Sequence, residues 1–298
     1  MRLHAASHGA PFDGSRVNAV AFGIAKHWTL DVRKFRNDAL TPESLIANGS
    51  MDENMADFLQ ALVLARMNIV IEGGTGSGKT TLLNALSNFI PDGQRIITVE
   101  DTAELNLAKS HVLSLQSRPA NNEGKGEITL QQLVINTLRQ RPDRIVVGEC
   151  RGPEAFDMLQ AMNSGHDGSL TTTHANNPRA ALDRLQNLVQ MSRAGANMPP
   201  DAIMKIITEA VDFVVEIKRL PDGSRRVNNI CEVCGMQGNV PTVGSIMKFQ
   251  KTGIDSNGRI KGEFRPTGSR IVSEDHKERF YSNGVEIKSS WFDNGGLW

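Results

Sequence analysis

Cysteine and aromatic residues are scarce in this 298-residue chain, and neither sign of charge is in excess. Three cysteines cannot build the even framework of a disulfide-stapled secreted domain. Aromatic content of 5% is too low for the stacking platform on which proteins hold single-stranded nucleic acid. With 33 basic and 33 acidic residues the net charge is zero, so nothing pulls the whole molecule toward nucleic acid or an anionic membrane, and no direct nucleic-acid partner is expected. No apolar run approaches the roughly eighteen residues a spanning helix needs, and Met1 does not open a charged then apolar leader, so the expectation is a cytoplasmic protein. There is no fixed-period repeat and no low-complexity tract. What remains is ordinary for a folded protein: 39% hydrophobic residues, 22% charged residues and 27 glycines, at a length that accommodates about two domains.

The period of the apolar residues changes along the chain and divides it into regions. Residues 1–40 read as extended segments, Arg16 to Phe22 after the Asp13–Gly14 turn signal and Trp28 to Phe35, forming part of a small N-terminal domain. Residues 41–66 read as bridging helices: Thr41 caps a helix with Pro42 at its first position, and Met55, Phe58, Leu59 and Leu62 share one face of a second. From 67 to 234, strand and helix alternate. The β-branched runs Asn68 to Ile71, Arg95 to Val99, Arg144 to Val147, Ser169 to Thr173 and Val211 to Ile217 predict an α/β fold with a mostly parallel sheet covered by helices. Residues 235–298 are rich in turn signals and predict a β-rich extension, with no pattern after Lys277 and a loose end at Asn294 to Gly296.

The strongest chemical pattern is Gly73-Gly74-Thr75-Gly76-Ser77-Gly78-Lys79-Thr80-Thr81, which lies between an apolar strand and a helical run. Glycines let backbone N–H groups turn toward a phosphate, and the following helix adds its positive end. In that frame Lys79 reaches the β and γ phosphates, and the Thr80 hydroxyl is a ligand for Mg²⁺, a cation that prefers hard oxygen donors. The alternative is a strand-to-helix turn that binds nothing. A buried strand running from Arg144 ends in Glu149, the form expected of a Walker B acid, and a second runs from Ile97 to Glu100 and Asp101. Solubility alone could place acids there. His166 and His174 flank the strand Ser169 to Thr173 at a spacing that fits no zinc site, so His174 reads either as a donor near a γ-phosphate or as an ordinary surface histidine. Cys231 and Cys234 read as part-buried residues without chemistry, because no further ligands complete a metal set.

Taken in order, Gly73 to Thr80, Ile97 to Glu104, Pro142 to Glu149 and Gly165 to His174 resemble the Walker A, Asp box, Walker B and His box of the type II/IV secretion system traffic ATPases. Within that superfamily the resemblance is to the CpaF/TadA-type ATPases of Flp/Tad pilus assembly, supported by Asp13 to Asn18, Val32 to Phe35, Pro119 to Glu127, Thr252 to Arg259 and Phe264 to Gly268. It implies a homohexamer with a RecA-like domain that hydrolyses ATP with Mg²⁺, cytoplasmic and held at the inner membrane through platform proteins of a pilus or secretion system. It also implies that Glu149, Glu100 and His174 serve catalysis and that residues 73–81 bind nucleotide. Thr80 and Glu149 would hold the metal, Arg16 and Arg33 would belong to a lid, and Arg118, Arg139 and Arg141 are candidates for closing the site from the same or a neighbouring subunit. Three cysteines cannot build the four-cysteine zinc element of the general secretion and pilus extension ATPases. Family members usually have a substantial region upstream of the point matched by Arg2, so a fragment, a displaced start or a shortened member is expected. Two rivals stand beside Flp/Tad pilus assembly: a conjugation or type IV secretion ATPase, and a nucleotide-gated scaffold with negligible turnover. A DNA translocase is disfavoured by the zero net charge.

Overall fold

In the computed structural model, which describes residues 15–34 and 41–293, the chain forms two units, residues 1–39 and 40–298. The first unit contains two antiparallel strands, β1 (Arg16–Val20) and β2 (Thr29–Arg33), with Arg16 opposite Arg33 and Val20 opposite Thr29. The expected turn at Asp13–Gly14, Phe35, the loose end at Asn294 to Gly296 and the side chains of Arg16 and Arg33 lie outside the described residues.

The second unit begins with α1 (Pro42–Ala47), where the Thr41 hydroxyl accepts from Ser44 N–H, and α2 (Glu53–Leu64), where Asp52 accepts from Met55 N–H. These caps satisfy first-turn donors that the helix itself leaves unpaired. Met55, Phe58, Leu59 and Leu62 are buried along α2, as their spacing predicts. Then follow β3 (Ile69–Glu72), α3 (Lys79–Ser87), β4 (Ile96–Glu100), β5 (Val112–Gln116), α4 (Leu130–Thr137), β6 (Arg144–Val147), α5 (Glu154–Asn163), β7 (Leu170–Thr173), α6 (Pro178–Gln190), α7 (Pro200–Ala210) and β8 (Phe213–Arg219). The chain ends in β9 (Arg225–Gln237), β10 (Val240–Ile254), β11 (Ile260–Pro266) and α8 (Glu274–Ser282).

Nine of these strands form one sheet in the order β11-β10-β9-β8-β3-β7-β6-β4-β5. Pairing is parallel from β8 to β5 and antiparallel from β8 to β11. The central strands β3, β7, β6 and β4 are buried along their whole length because both faces are covered. Ile69 and Ile71 pack into a core with α2 and α3, while Val70 packs into another with α4 to α7. The parallel α/β sheet and its β-rich continuation agree with the expected fold class. No helix among the described residues is long and apolar enough to cross a membrane.

Three features differ from the sequence expectation. Residue 234, placed at a boundary, lies inside β9, and β9 to β11 extend the same sheet without a break. The stretch after Lys277, which shows no pattern in the sequence, is structured up to Asp293. It lies in α8 and a short turn whose Trp291 is 1% exposed, packs at a tilt with its ring 5.2 Å from that of Phe58 and donates Nε1–H to Asp57 at 2.8 Å. Strand β5 was not expected; as an edge strand it alternates between half-buried and exposed, so no apolar run marks it.

Candidate functional site

Strand β3 delivers the chain at Glu72 into the glycine-rich turn, and α3 begins at Lys79. Gly76 and Gly78 have φ of +70° and +102°, and a Cβ on Gly73 would lie 2.3 Å from the Ile217 carbonyl oxygen. Only glycine permits that path. No side chain caps α3, so the donors of its first turn face the cradle, and the buried Ser77 hydroxyl has no hydrogen-bond partner there. Lys79, 8% exposed, donates from Nζ to the carbonyl oxygens of Gly73 at 2.9 Å and Gly74 at 3.2 Å. Burial lowers its pKa, with Glu149 and Glu72 acting against the shift. Thr80 and Thr81 follow in the first turn of α3, both half-buried. These features fit a phosphate anion held with a hard divalent cation.

The parallel register brings the other expected groups to the same edge of the sheet. Glu72 is level with Thr173, Thr171 with Val147 and Val147 with Val99, so the ends of β3, β7, β6 and β4 form one row. Ligands in open parallel sheets bind beyond such carboxyl ends. Glu149, just past β6, lies 3.0 Å from His174 Nε2 through Oε1 and 2.9 Å from Arg151 Nη2 through Oε2. Arg151 continues to Asp101 at 3.5 Å, and His174 Nδ1 is 3.3 Å from Lys79 Nζ. Burial, then the Lys79 charge, lowers the His174 pKa against the pull of Glu149. In its neutral form the ring donates Nε2–H to Glu149 and accepts at Nδ1 from Lys79. Glu100 is turned differently: its Oε1 accepts from the N–H groups of Glu104 at 2.8 Å and Leu105 at 2.9 Å, which pins the turn after β4.

Other expected residues lie away from this row. Arg118 follows β5 on the same edge of the sheet, and its Nε donates to the Gly126 carbonyl at 2.9 Å. Arg139 and Arg141 are exposed between α4 and the start of β6, at the opposite edge of the sheet from Glu149. His166 sits in the turn before β7, also remote from Glu149. Burial pushes the Cys150 and Cys231 thiols up to about 12, so neither is a reactive thiolate. Among the described residues no group of three or more His, Cys, Asp or Glu gathers to hold a metal. Sequence reasoning missed Arg151, whose bridge from Glu149 to Asp101 exists only in the fold.

The family described as Type II/IV secretion system protein matches residues 16–276. A Mycobacterium tuberculosis relative is 38% identical over 229 residues, which are 76% of this chain and 64% of its own length. The conjugal transfer protein TrbB of Rhizobium radiobacter is 35% identical over 233 residues, covering 77% of this chain and 68% of its own. Among solved structures, the VirB11 ATPase of the Brucella suis type IV secretion system, in complex with sulphate, superposes with a TM-score of 0.54 at 30% identity, over 75% of this chain and 72% of its own. With a glycine cradle, a buried lysine and an acid–histidine pair on one sheet edge, and with this match over most of its length, the chain belongs to the type II/IV secretion ATPase superfamily.

Proposed function

We propose that this chain binds MgATP at residues 73–81 and hydrolyses it to drive a conjugation or type IV secretion apparatus. The observation that carries the reading is the contact of Glu149 with His174 and of His174 with Lys79 beside the glycine cradle. Loop N–H groups and Lys79 hold the β and γ phosphates, while Thr80 and Glu149 hold Mg²⁺. Bound there, the cation neutralises charge that builds on the phosphate oxygens during transfer. Lys79 exchanges the carbonyls of Gly73 and Gly74 for phosphate oxygen. Arg151 and the His174 Nε2–H fix the Glu149 carboxylate from both sides, so it is aimed at the cation and orients the attacking water. Glu100 serves the same edge by holding the 101–105 turn.

The acting form is a homohexamer in the cytoplasm, docked on inner-membrane components. The names of the relatives favour conjugation and type IV secretion over Flp/Tad pilus assembly. Phosphate release and MgADP binding test the reading together. Lys79→Ala should lose nucleotide binding, and Glu149→Gln should keep binding while turnover falls roughly a hundredfold or more. Unchanged turnover in Lys79→Ala sinks the assignment of the loop. Tight binding with no turnover in the unaltered chain makes it a nucleotide-gated scaffold instead.

A further inference from the structure

Directly beneath the cradle two acids stand side by side. Glu72 ends β3, Glu216 is its register partner on β8, and they are 0% and 2% exposed. Glu216 is compensated by an ion pair with Lys218, whose Nζ lies 2.6 Å from an Oε1 that accepts no hydrogen bond, and by Asn228, which donates to its Oε2. Glu72 is not, because neither of its carboxyl oxygens has a hydrogen-bond donor. A carboxylate only accepts, so its contact with the Glu216 carboxyl becomes a hydrogen bond when one of the two carries a proton. The other groups that face Glu72 are Lys218 on β8 and Lys79 on α3; β7 offers Thr173, and Cys231 on β9 lies near both acids. Burial first, then the charge of Glu216, push Glu72 up to about 8 against the pull of the two lysines. Its ionisation therefore falls in a range where the nucleotide phosphates and Mg²⁺ do not titrate.

We propose that the Glu72–Glu216 carboxyl pair is a proton-binding site linked to nucleotide: phosphate in the cradle favours the shared proton, and loss of that proton weakens nucleotide binding. The proposal rests on the reading of residues 73–81 as the nucleotide loop. The linkage is electrostatic. An ionised Glu72 sets a negative charge behind the loop and offers Lys79 a second anion, drawing back the cation that faces the phosphates. Phosphate in turn makes it harder to ionise Glu72, because coupling between two ligands of one protein is reciprocal. The sign follows: the protonated pair is the tight-binding form, so affinity is full well below pH 8 and declines as pH rises through it.

Calorimetric titration of MgADP into the full chain tests this, run at pH 8 in two buffers of different ionisation enthalpy and as Kd between pH 7 and pH 9. The unaltered chain should take up a fraction of a proton per MgADP bound. A one-unit upward shift of Glu72 by nucleotide weakens Kd about fivefold across that range. Glu72→Gln should take up no proton and hold a flat Kd. Glu216→Gln, which removes the like charge, should move the midpoint of the Kd profile to lower pH. Binding without proton uptake overturns the proposal, and so does uptake that persists in Glu72→Gln, which would assign it to Lys79. An unmoved midpoint in Glu216→Gln overturns it as well. Failure of the unaltered chain to bind MgADP overturns the loop reading and the proposal with it, whereas binding without uptake overturns the proposal alone.

Discussion

Arg151 touches Glu149 and Asp101 at once, half-exposed, and joins the ends of two strands through one planar fork. An exposed pair of this kind adds little to stability, so its value lies in aim. Removing it leaves Glu149 with His174 as its remaining side-chain partner and frees the carboxylate to rotate. Arg151→Gln should therefore lower kcat roughly tenfold to a hundredfold with KM near its original value. Arg151→Lys should recover less than a conservative change suggests, because an ammonium cannot span both acids in one plane. Steady-state kinetics of the two variants check this, and an unchanged kcat in Arg151→Gln would leave the arginine as mere surface charge. At this scale the loop and Glu149 were legible as candidates, since each follows a short apolar run, whereas the threonine-rich strand before His174 left that residue open until the four motifs stood in order. Arg151 was not, because its partner Asp101 is fifty positions upstream and only the parallel register of β4 and β6 brings them together. Glu72 and Glu216 were illegible for the opposite reason. Each sits within a run otherwise fit for a buried strand, and a lone acid there looks like a strand end.

At the scale of elements, α8 is held by charge more than by apolar area. His276, 6% exposed, engages Glu232 through Nδ1 at 2.8 Å and Asp212 through Nε2 at 3.1 Å, and Arg279 adds a 2.7 Å bond to Asp212. Burial alone would lower the His276 pKa, but the hydrogen bonds to Asp212 and Glu232 push it up to about 9. The folded pKa is thus above the unfolded one, so the stabilisation is complete below about pH 6.5 and is lost as pH rises through 9. Its size is on the order of 3 kcal/mol. Thermal melts from pH 6 to pH 9.5 should show a falling Tm, and His276→Gln should remove much of that slope while starting from a lower Tm. An equal slope in the variant would assign it to other groups. The same helix shows why the tail could not be read in advance. Only His276 and Phe280 of its nine residues are buried, so charged residues mask the helical period. The central strands were legible because burial on both faces leaves short runs rich in β-branched residues.

At the scale of the whole molecule, one sheet carries the candidate site along a single edge and ends at β5, four strands from β3. That places Arg118 ~19 Å from its own loop, beyond the reach of a side chain. If chains assemble into a ring, Arg118 is the arginine on the correct edge to serve a neighbour, whereas Arg139 and Arg141 point from the other edge. Mixing Arg118→Ala with Lys79→Ala chains should restore part of the turnover that each has lost, and specific activity should rise with concentration. Loss in Arg118→Ala that mixing never restores would place its action within one chain. The contact of Trp291 with Asp57 and Phe58 has a different consequence, one of timing. Its partners are 234 residues apart, and ribosomes add roughly 5–20 residues per second. The apolar side of α2 that Trp291 covers therefore waits roughly 10–50 s in the nascent chain for its lid. During that interval α2 is a natural landing place for a chaperone.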